Sequence, residues 1–393
     1  MKRVSIFGST GSVGQSTLAV IGHSNQADAP AFDVDVLVAG QNTELLAEQA
    51  VAHKAKLAVV ADPDGYEDLK ERLSHQDIEV AAGTEAVVDA ARRPCDRLVA
   101  AIVGSAGVAS TLAAVEAGND VALANKESLI SAGDLIKSTA TANGARLVPM
   151  DSEHSAIFQV LQDRPSVEKL ILTASGGPFR TTSRDAMAAI TVEEARNHPN
   201  WSMGLKISID SATLFNKALE VMEAAYLFDM QADGIDVVVH PQSIVHSLVA
   251  YTDGSVLAQL GAPDMRAPIA FALAWPDRRL VTDVPRLDLA ALARLDFEPV
   301  DHERFPAIQL AKRALEAGGC APLILNCANE AAVAAFIAGE CRFLDISSTV
   351  LETLERFAAQ GFGETPPTSL QEVAELDAAA RATARNVMQA RVN

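Results

Sequence analysis

Residues 4–14 constrain the fold more than any other stretch. Val4-Ser5-Ile6-Phe7 is a short apolar strand, Gly8-Ser9-Thr10-Gly11-Ser12-Val13-Gly14 is a turn with glycine at every third position, and the chain to about Ile21 is helical in pattern. Strand, glycine turn and helix in that order open a βαβ unit. Glycines let a backbone approach a pyrophosphate, and a helix N-terminus offers N–H donors and the positive end of its dipole. The same spacing also serves a tight turn with no ligand, so the motif alone leaves both readings open.

Strand signals recur at Phe32–Ala39, Leu57–Val60, Ile78–Ala81, Leu98–Val103, Val121–Ala124 and Arg146–Val148. Helical runs lie between most of them, an alternation that predicts a doubly wound parallel sheet. At 393 residues the chain is too long for one core. We expect an α/β protein: an N-terminal Rossmann-like parallel-sheet domain at 1–150, a central α+β domain at 151–275 with a long loop at about 176–204, a connector at 276–300, and a C-terminal helical bundle at 301–393. Alanine- and leucine-rich periods place the bundle helices at Ala307–Ala317, Ala328–Ile337, Ile346–Phe357 and Val373–Arg391.

Ligands of such sheets bind at the carboxyl ends of the strands. The second strand ends in Gly40-Gln41-Asn42, where an NAD-binding chain carries an acid for the ribose 2′-hydroxyl. Without that acid a 2′-phosphate is not repelled, which favours NADP; alternatively Asn42 only caps the helix Thr43–His53. At a later strand end stands Ala124-Asn125-Lys126-Glu127-Ser128, either ligand contacts or a cap for the helix Leu129–Ala142. The last strand leads into Met150-Asp151-Ser152-Glu153-His154. In an extended segment Asp151 and Glu153 point the same way, as a proton-transfer pair or hard-cation ligands, or else they belong to a solvated turn and a helix cap.

Beyond the strand Val167–Ala174, the chain passes Ser175-Gly176-Gly177-Pro178-Phe179-Arg180 and reaches His198-Pro199-Asn200-Trp201-Ser202-Met203-Gly204. A loop this long is usually functional. Glycines at both ends, with a histidine and a tryptophan inside, fit a lid or a surface excursion. In the helix Ala212–Phe228, Asn216, Lys217 and Glu220 share a face. Glu220 could join Asp151 and Glu153 around Mg²⁺ or Mn²⁺, while Ser211, Asn216 and Lys217 suit a phosphate. The competing reading is a Lys217–Glu220 surface pair worth about 0.3 kcal/mol. His240 and His246 lie on strand signals and read as structural residues.

The formal net charge of -19 argues against nucleic acid and anionic membranes as partners. No apolar run has membrane-spanning length. The N-terminus passes straight into a strand, and the four cysteines match no zinc spacing, so a cytoplasmic protein with reduced thiols is expected.

Taken together and in order, these motifs, with Asp210-Ser211-Ala212-Thr213, His240-Pro241-Gln242-Ser243 and Pro263-Asp264-Met265-Arg266, resemble the 1-deoxy-D-xylulose-5-phosphate reductoisomerase family over nearly the whole chain. The resemblance implies a homodimeric oxidoreductase and isomerase of the non-mevalonate isoprenoid pathway that uses NADPH and a divalent metal on a sugar phosphate. It implies Asp151, Glu153 and Glu220 as metal ligands, and Lys126, Ser152, Ser175, Ser211, Asn216 and Lys217 on the substrate, with His198 and Trp201 on the lid. It implies Thr10, Gly11, Ser12, Val13, Gly40, Gln41, Asn42, Asn125, Glu127 and Gly204 as cofactor contacts. Relatives often carry Lys or Arg where Gln41 stands. A plain NADP-dependent dehydrogenase and a non-catalytic nucleotide sensor are the competing classes. Three acids and a long lid argue against the first, and a sensor has no need of the three acids.

Overall fold

The computed structural model describes residues 1–26, 31–197, 201, 204–277, 279–361 and 365–392. The chain forms two compact units, each drawn from three stretches: 1–128, 135–155 and 264–285 make the first, and 129–134, 156–263 and 286–393 the second.

The first unit holds seven strands: β1 Lys2–Phe7, β2 Phe32–Ala39, β3 Leu57–Val60, β4 Glu79–Ala82, β5 Arg97–Ala100, β6 Val121–Leu123 and β7 Leu147–Pro149. All pair in parallel, in the order β4-β3-β2-β1-β5-β6-β7. This is the doubly wound α/β sheet that the strand–helix alternation predicts. Val4, Ile6, Val34, Leu37, Val60 and Val99 are buried in its core, as expected of strands covered on both faces. The order reverses between β1 and β5, so the crevice for a ligand opens where β1 runs into its glycine turn. β5 stops at Ala100, short of the expected Val103, which is exposed.

The second unit adds β8 Val167–Ala174, β9 Ile235–Val239, β10 Val245–Tyr251 and β11 Val256–Leu260, in the order β11-β10-β8-β9. The sheet is mixed: β8 is parallel to β9 and antiparallel to β10. Successive strands β9 and β10 are therefore not neighbours, because β8 lies between them. Helices Ala307–Ala317, Ala321–Ile337, Phe343–Ala359 and Leu370–Val392 form the helical C-terminal region. Its side chains share one core with the sheet and the helix Phe215–Phe228: Leu170, Leu172, Phe215, Leu219, Ile308, Leu325 and Phe336 all belong to it. No described helix is long and apolar enough to cross a membrane.

Other expected elements differ as well, and two of these differences bear on the site. The chain after Pro149 is not extended through Glu153, because a helix begins at Ser152 and runs to Val160. The single helix expected from Ala212 is two, Leu205–Ala212 and Phe215–Phe228, broken where Leu214 takes a left-handed φ of 61°. Ser211 consequently closes one helix, while Asn216 and Lys217 open the next.

Candidate functional site

In the first unit the glycine turn is built by close approach. Gly8 has φ +96°, and a Cβ there would lie 2.5 Å from the carbonyl oxygen of Ala101 after β5. A Cβ on Gly14 would lie 2.2 Å from Gly8 O and 2.5 Å from Ser9 Cα. The helix Ser12–Asn25 starts after Gly11 with no side-chain cap, so its first backbone N–H groups are left for an anion beside Thr10, Gly11, Ser12 and Val13. A cradle that a methyl group would fill, ahead of an uncapped helix end, fits a dinucleotide pyrophosphate.

At the next strand end Gly40, Gln41 and Asn42 are exposed. Asn42 caps the helix Thr43–His53, its Oδ1 accepting from Leu45 N–H at 3.0 Å. The end of β2 carries no acid, as read, but one reaches this corner from β3. Asp62, just past β3, accepts from Gln41 Nε2 at 3.1 Å. No reading of β2 alone finds it, because the acid comes from the neighbouring strand.

Asn125 serves as a cap. Its Oδ1 accepts from Ser128 N–H at 2.7 Å and from Ser128 Oγ at 2.6 Å, and its Nδ2 donates to Gly104 O at 3.0 Å and to Ile102 O. Those bonds engage the whole amide, so what remains for a cofactor is backbone. Lys126 opens the helix, which runs Lys126–Asn143, and places Nζ 2.9 Å from Asp151 Oδ2 at the end of β7. Ser152 donates its hydroxyl to the Glu153 carboxylate. Glu127 is buried. His154, to which sequence reasoning gave no role, is fully buried with Nδ1 4.0 Å from Asp151 Oδ2. Its i, i+3 spacing from Asp151 was the available signal.

In the second unit Asn216 Nδ2 donates to Glu220 Oε1 at 2.6 Å, and the Lys217 ammonium pairs with the other carboxylate oxygen. Side chains of Lys217 and Glu220 are only 4% and 2% exposed, so the surface-pair reading is overturned. Removing one partner of such a pair costs about 3–5 kcal/mol, tenfold more than a surface pair. Gly177 brings two predicted phosphate segments together: a Cβ there would lie 2.8 Å from Ser211 O, and its N–H donates to Ser175 Oγ at 3.2 Å.

The long loop is largely anchored. It carries short helices Arg184–Met187 and Val192–Ala195, the second with a Thr191/Glu194 capping box, and buries Phe179, Met187 and Ile190. Trp201 is half-buried and Gly204 caps the helix Leu205–Ala212. His198, with Pro199, Asn200, Ser202 and Met203, lies outside the described residues.

A network that sequence reasoning missed fixes that last helix. Asp210, 1% exposed, accepts from Asn329 Nδ2 at 2.8 Å and lies 3.0 Å from Lys206 Nζ. The Lys206–Asp210 spacing was legible, but Asn329 is 119 positions away. His240 is structural as read. Ile244 N–H donates to its Nε2 at 3.1 Å, so the ring proton sits on Nδ1, which donates to Asp296 O at 2.8 Å.

The three predicted metal ligands are all oxygen donors, the set that suits a hard divalent cation. Asp151 and Glu153 belong to the first unit and Glu220 to the second. Each acid has a donor within its own unit: Lys126, Ser152, or Asn216 with Lys217. A Rossmann-type sheet with a pyrophosphate cradle, carried with oxygen-rich acidic residues, defines a nicotinamide-dependent, metal-assisted class of enzyme.

The comparisons with known proteins narrow that class. The family model for 1-deoxy-D-xylulose 5-phosphate reductoisomerase matches residues 4–133, its C-terminal domain model matches 147–228, and the DXP reductoisomerase C-terminal domain model matches 260–383. A 1-deoxy-D-xylulose 5-phosphate reductoisomerase of Rhizobium etli (strain CIAT 652) is 52% identical over 99% of this chain and 97% of its own. That of Caulobacter vibrioides is 53% identical over 98% and 96%. A solved Zymomonas mobilis reductoisomerase in complex with NADPH superposes with a TM-score of 0.91 at 46% identity, covering 98% of this chain and 99% of that one. A solved DOX-P reductoisomerase in complex with NADPH, fosmidomycin and magnesium superposes at 0.93 and 40%, covering 99% and 98%. The chain belongs to the 1-deoxy-D-xylulose 5-phosphate reductoisomerase family.

Proposed function

We propose that this chain carries out the family's reaction, the NADPH- and divalent-metal-dependent rearrangement and reduction of 1-deoxy-D-xylulose 5-phosphate to 2-C-methyl-D-erythritol 4-phosphate. The observation that carries the reading is the likeness to the family over nearly the whole chain, and the glycine cradle supports it.

Asp151, Glu153 and Glu220 would hold Mg²⁺ or Mn²⁺, which when bound polarises the substrate carbonyl and steadies developing negative charge. NADPH supplies the hydride. Lys126, fixed against Asp151, shares charge at the reacting oxygens and holds that carboxylate in one rotamer. Ser152 orients Glu153 and meets a substrate hydroxyl. Ser175, Ser211, Asn216 and Lys217 bind the phosphate, whose binding energy, remote from the reacting carbons, keeps the fragments aligned. His198 and Trp201 cover the substrate and exclude water. Functionally, 1–150 serves the cofactor, 151–275 the chemistry, with its lid at 176–204, and 301–393 supports them.

We further propose a homodimer working in the cytoplasm. Edge strand β11, with Val256 51% exposed, supports pairing with a second copy, and four free cysteines support a reducing compartment. Light scattering tests the dimer.

The functional test follows NADPH oxidation with purified protein. Oxidation must require both deoxyxylulose 5-phosphate and Mg²⁺ or Mn²⁺, and the product must be the branched polyol phosphate. An unbranched product would assign a plain dehydrogenase.

A further inference from the structure

The glycine turn offers donors to an anion only if its carbonyl oxygens are turned away, and the protein holds each of them. Gly8 O accepts from Gly11 N–H at 3.1 Å, and Gly11 O accepts from Gln15 N–H at 2.9 Å. Two glutamine side chains take the pair between. Thr10 O accepts from Gln15 Nε2 at 2.8 Å, and Ser9 O accepts from Gln49 Nε2 at 3.0 Å. The two amides differ in setting. Gln15 is exposed, so water can replace its side chain. Gln49 is only 8% exposed, on the helix Thr43–His53, and stands 40 positions along the chain from the oxygen it holds.

The Ser9–Thr10 peptide decides what a phosphate meets. In a trans peptide the C=O and the N–H point in opposite directions. Ser9 N–H is fixed on Val38 O at 2.8 Å, and Gln49 draws Ser9 O into the protein, so Thr10 N–H points the other way. Among the described residues Thr10 N–H has no backbone acceptor. It adds to the uncapped N–H groups that open the helix Ser12–Asn25, as successive amides do in an anion-binding concavity. Without Gln49 this peptide is free to rotate, and a carbonyl oxygen then faces the pyrophosphate where a donor belongs. Packing does not account for the amide. Gln49 Oε1 has no hydrogen-bond partner among the described residues. A buried unsatisfied oxygen opposes folding, and an apolar side chain of similar size would fill the position without one.

Resting on the reading of this turn as the NADPH pyrophosphate cradle, we infer that Gln49 is a positioning residue for the cofactor. It acts through Ser9 O, setting the direction of the Thr10 N–H that meets the phosphate.

The test compares full-length wild type with Gln49→Met and Gln49→Glu. Methionine keeps the volume and removes the donor and the unpaired oxygen together. The NADPH dissociation constant, measured by calorimetry without substrate, should rise about tenfold, the scale of one hydrogen bond. The melting temperature without nucleotide should stay within about 3 °C of wild type. In turnover the NADPH Michaelis constant should rise by a similar factor, with kcat and the Michaelis constant for the sugar phosphate unchanged; a merely structural role would not produce that split. Glutamate keeps the shape and serves if the methionine variant does not fold. Ionised, it opposes Ser9 O; protonated, it can donate in the amide's place. Its loss of NADPH affinity relative to wild type should therefore be largest near about pH 9 and shrink toward about pH 6. NADPH affinity within about threefold of wild type in the methionine variant, or in the glutamate variant at about pH 9 if methionine does not fold, overturns the inference. Equal rises in both Michaelis constants overturn it too. Failure of the wild type to bind NADPH would instead sink the cradle reading, whatever the variants do.

Discussion

Gly14→Ala pits two effects of known size against each other. Gly14 lies inside the helix Ser12–Asn25, where alanine is favoured over glycine by about 1 kcal/mol. Propensity alone predicts a more stable protein. The contact distances predict the opposite. The new methyl would sit 2.2 Å from Gly8 O, 2.5 Å from Ser9 Cα and 2.6 Å from Ser9 O, about 1 Å inside contact distance. All three neighbours are backbone atoms of the glycine turn, so no rotamer change relieves the clash. Overpacking of this kind costs about 1–3 kcal/mol, and at a rigid turn the upper end applies. The clash wins by about 1–2 kcal/mol, a fall in melting temperature of a few degrees. The larger effect is on the ligand: opening the turn by about 1 Å moves the uncapped helix end away from the pyrophosphate, and weakening one charge-assisted hydrogen bond of about 1.5–3 kcal/mol costs about tenfold or more in affinity. Gly22→Ala is the control. It lies on the same helix, its Cβ would meet only His53 Cε1 at an ordinary 3.7 Å, and it should stabilise by about 0.5–1 kcal/mol with unchanged nucleotide affinity. Thermal unfolding and NADPH titration of both variants settle the matter. Gly14→Ala melting no lower than wild type and binding NADPH within about threefold of it would refute the reasoning.

Three further outcomes are expected. Glu220→Gln should abolish metal-dependent NADPH oxidation and weaken Mn²⁺ binding, read by electron paramagnetic resonance; it should also lower thermal stability by about 3 kcal/mol, because the buried Lys217 ammonium loses its counter-charge. Asn329→Leu removes a hydrogen bond to the buried Asp210 carboxylate, at a cost of about 1.5–3 kcal/mol, and should raise the Michaelis constant for the sugar phosphate but not for NADPH, since Asp210 precedes Ser211 on one helix. Burial pushes the Tyr226 phenol up to about 12, with Asp134 adding to the shift. An acid whose folded pKa is raised favours its protonated form in the fold, so this stability is complete below about pH 10 and lost as pH rises toward 12. Tyr226→Phe should therefore resist alkaline unfolding better than wild type, and an unchanged profile would contradict the burial argument.

The parallel sheet was legible because most strands are short apolar runs and most crossovers carry a helical period. What failed was local, and each failure has a physical cause. The helix Ala321–Ile337 was read only from Ala328, although Pro322 at its first turn is a start signal. Leu323, Ile324, Leu325, Asn326, Cys327 and Ala328 are all buried, so the stretch is enclosed all round and shows no 3.6-residue alternation of apolar and polar positions. The break at Leu214 was invisible because leucine seldom adopts a left-handed φ, and here packing imposes it: Leu214 and Phe215 are both buried in the core of the second unit. At the candidate site, local groupings were readable from spacing. Asn216, Lys217 and Glu220 share a helix face, and Lys206 stands four residues before Asp210. Contacts made by distant stretches were not readable: Asp62 with Gln41 at the end of β2, or Asn329 with Asp210.

Those long-range contacts explain how a chain with a net charge of -19 handles anionic ligands. A bulk field of that sign opposes every phosphate, but at physiological salt it is screened within about 8 Å. Affinity is therefore decided by donors placed inside that range. At the pyrophosphate turn they are backbone N–H groups, which carry no counter-charge and need none. At the proposed phosphate residues the charged donor is Lys217, paired with Glu220 and buried so that screening ions cannot reach it. The ribose corner follows neither plan. Its one well-positioned side chain is an acid, its donors are neutral, and it is exposed.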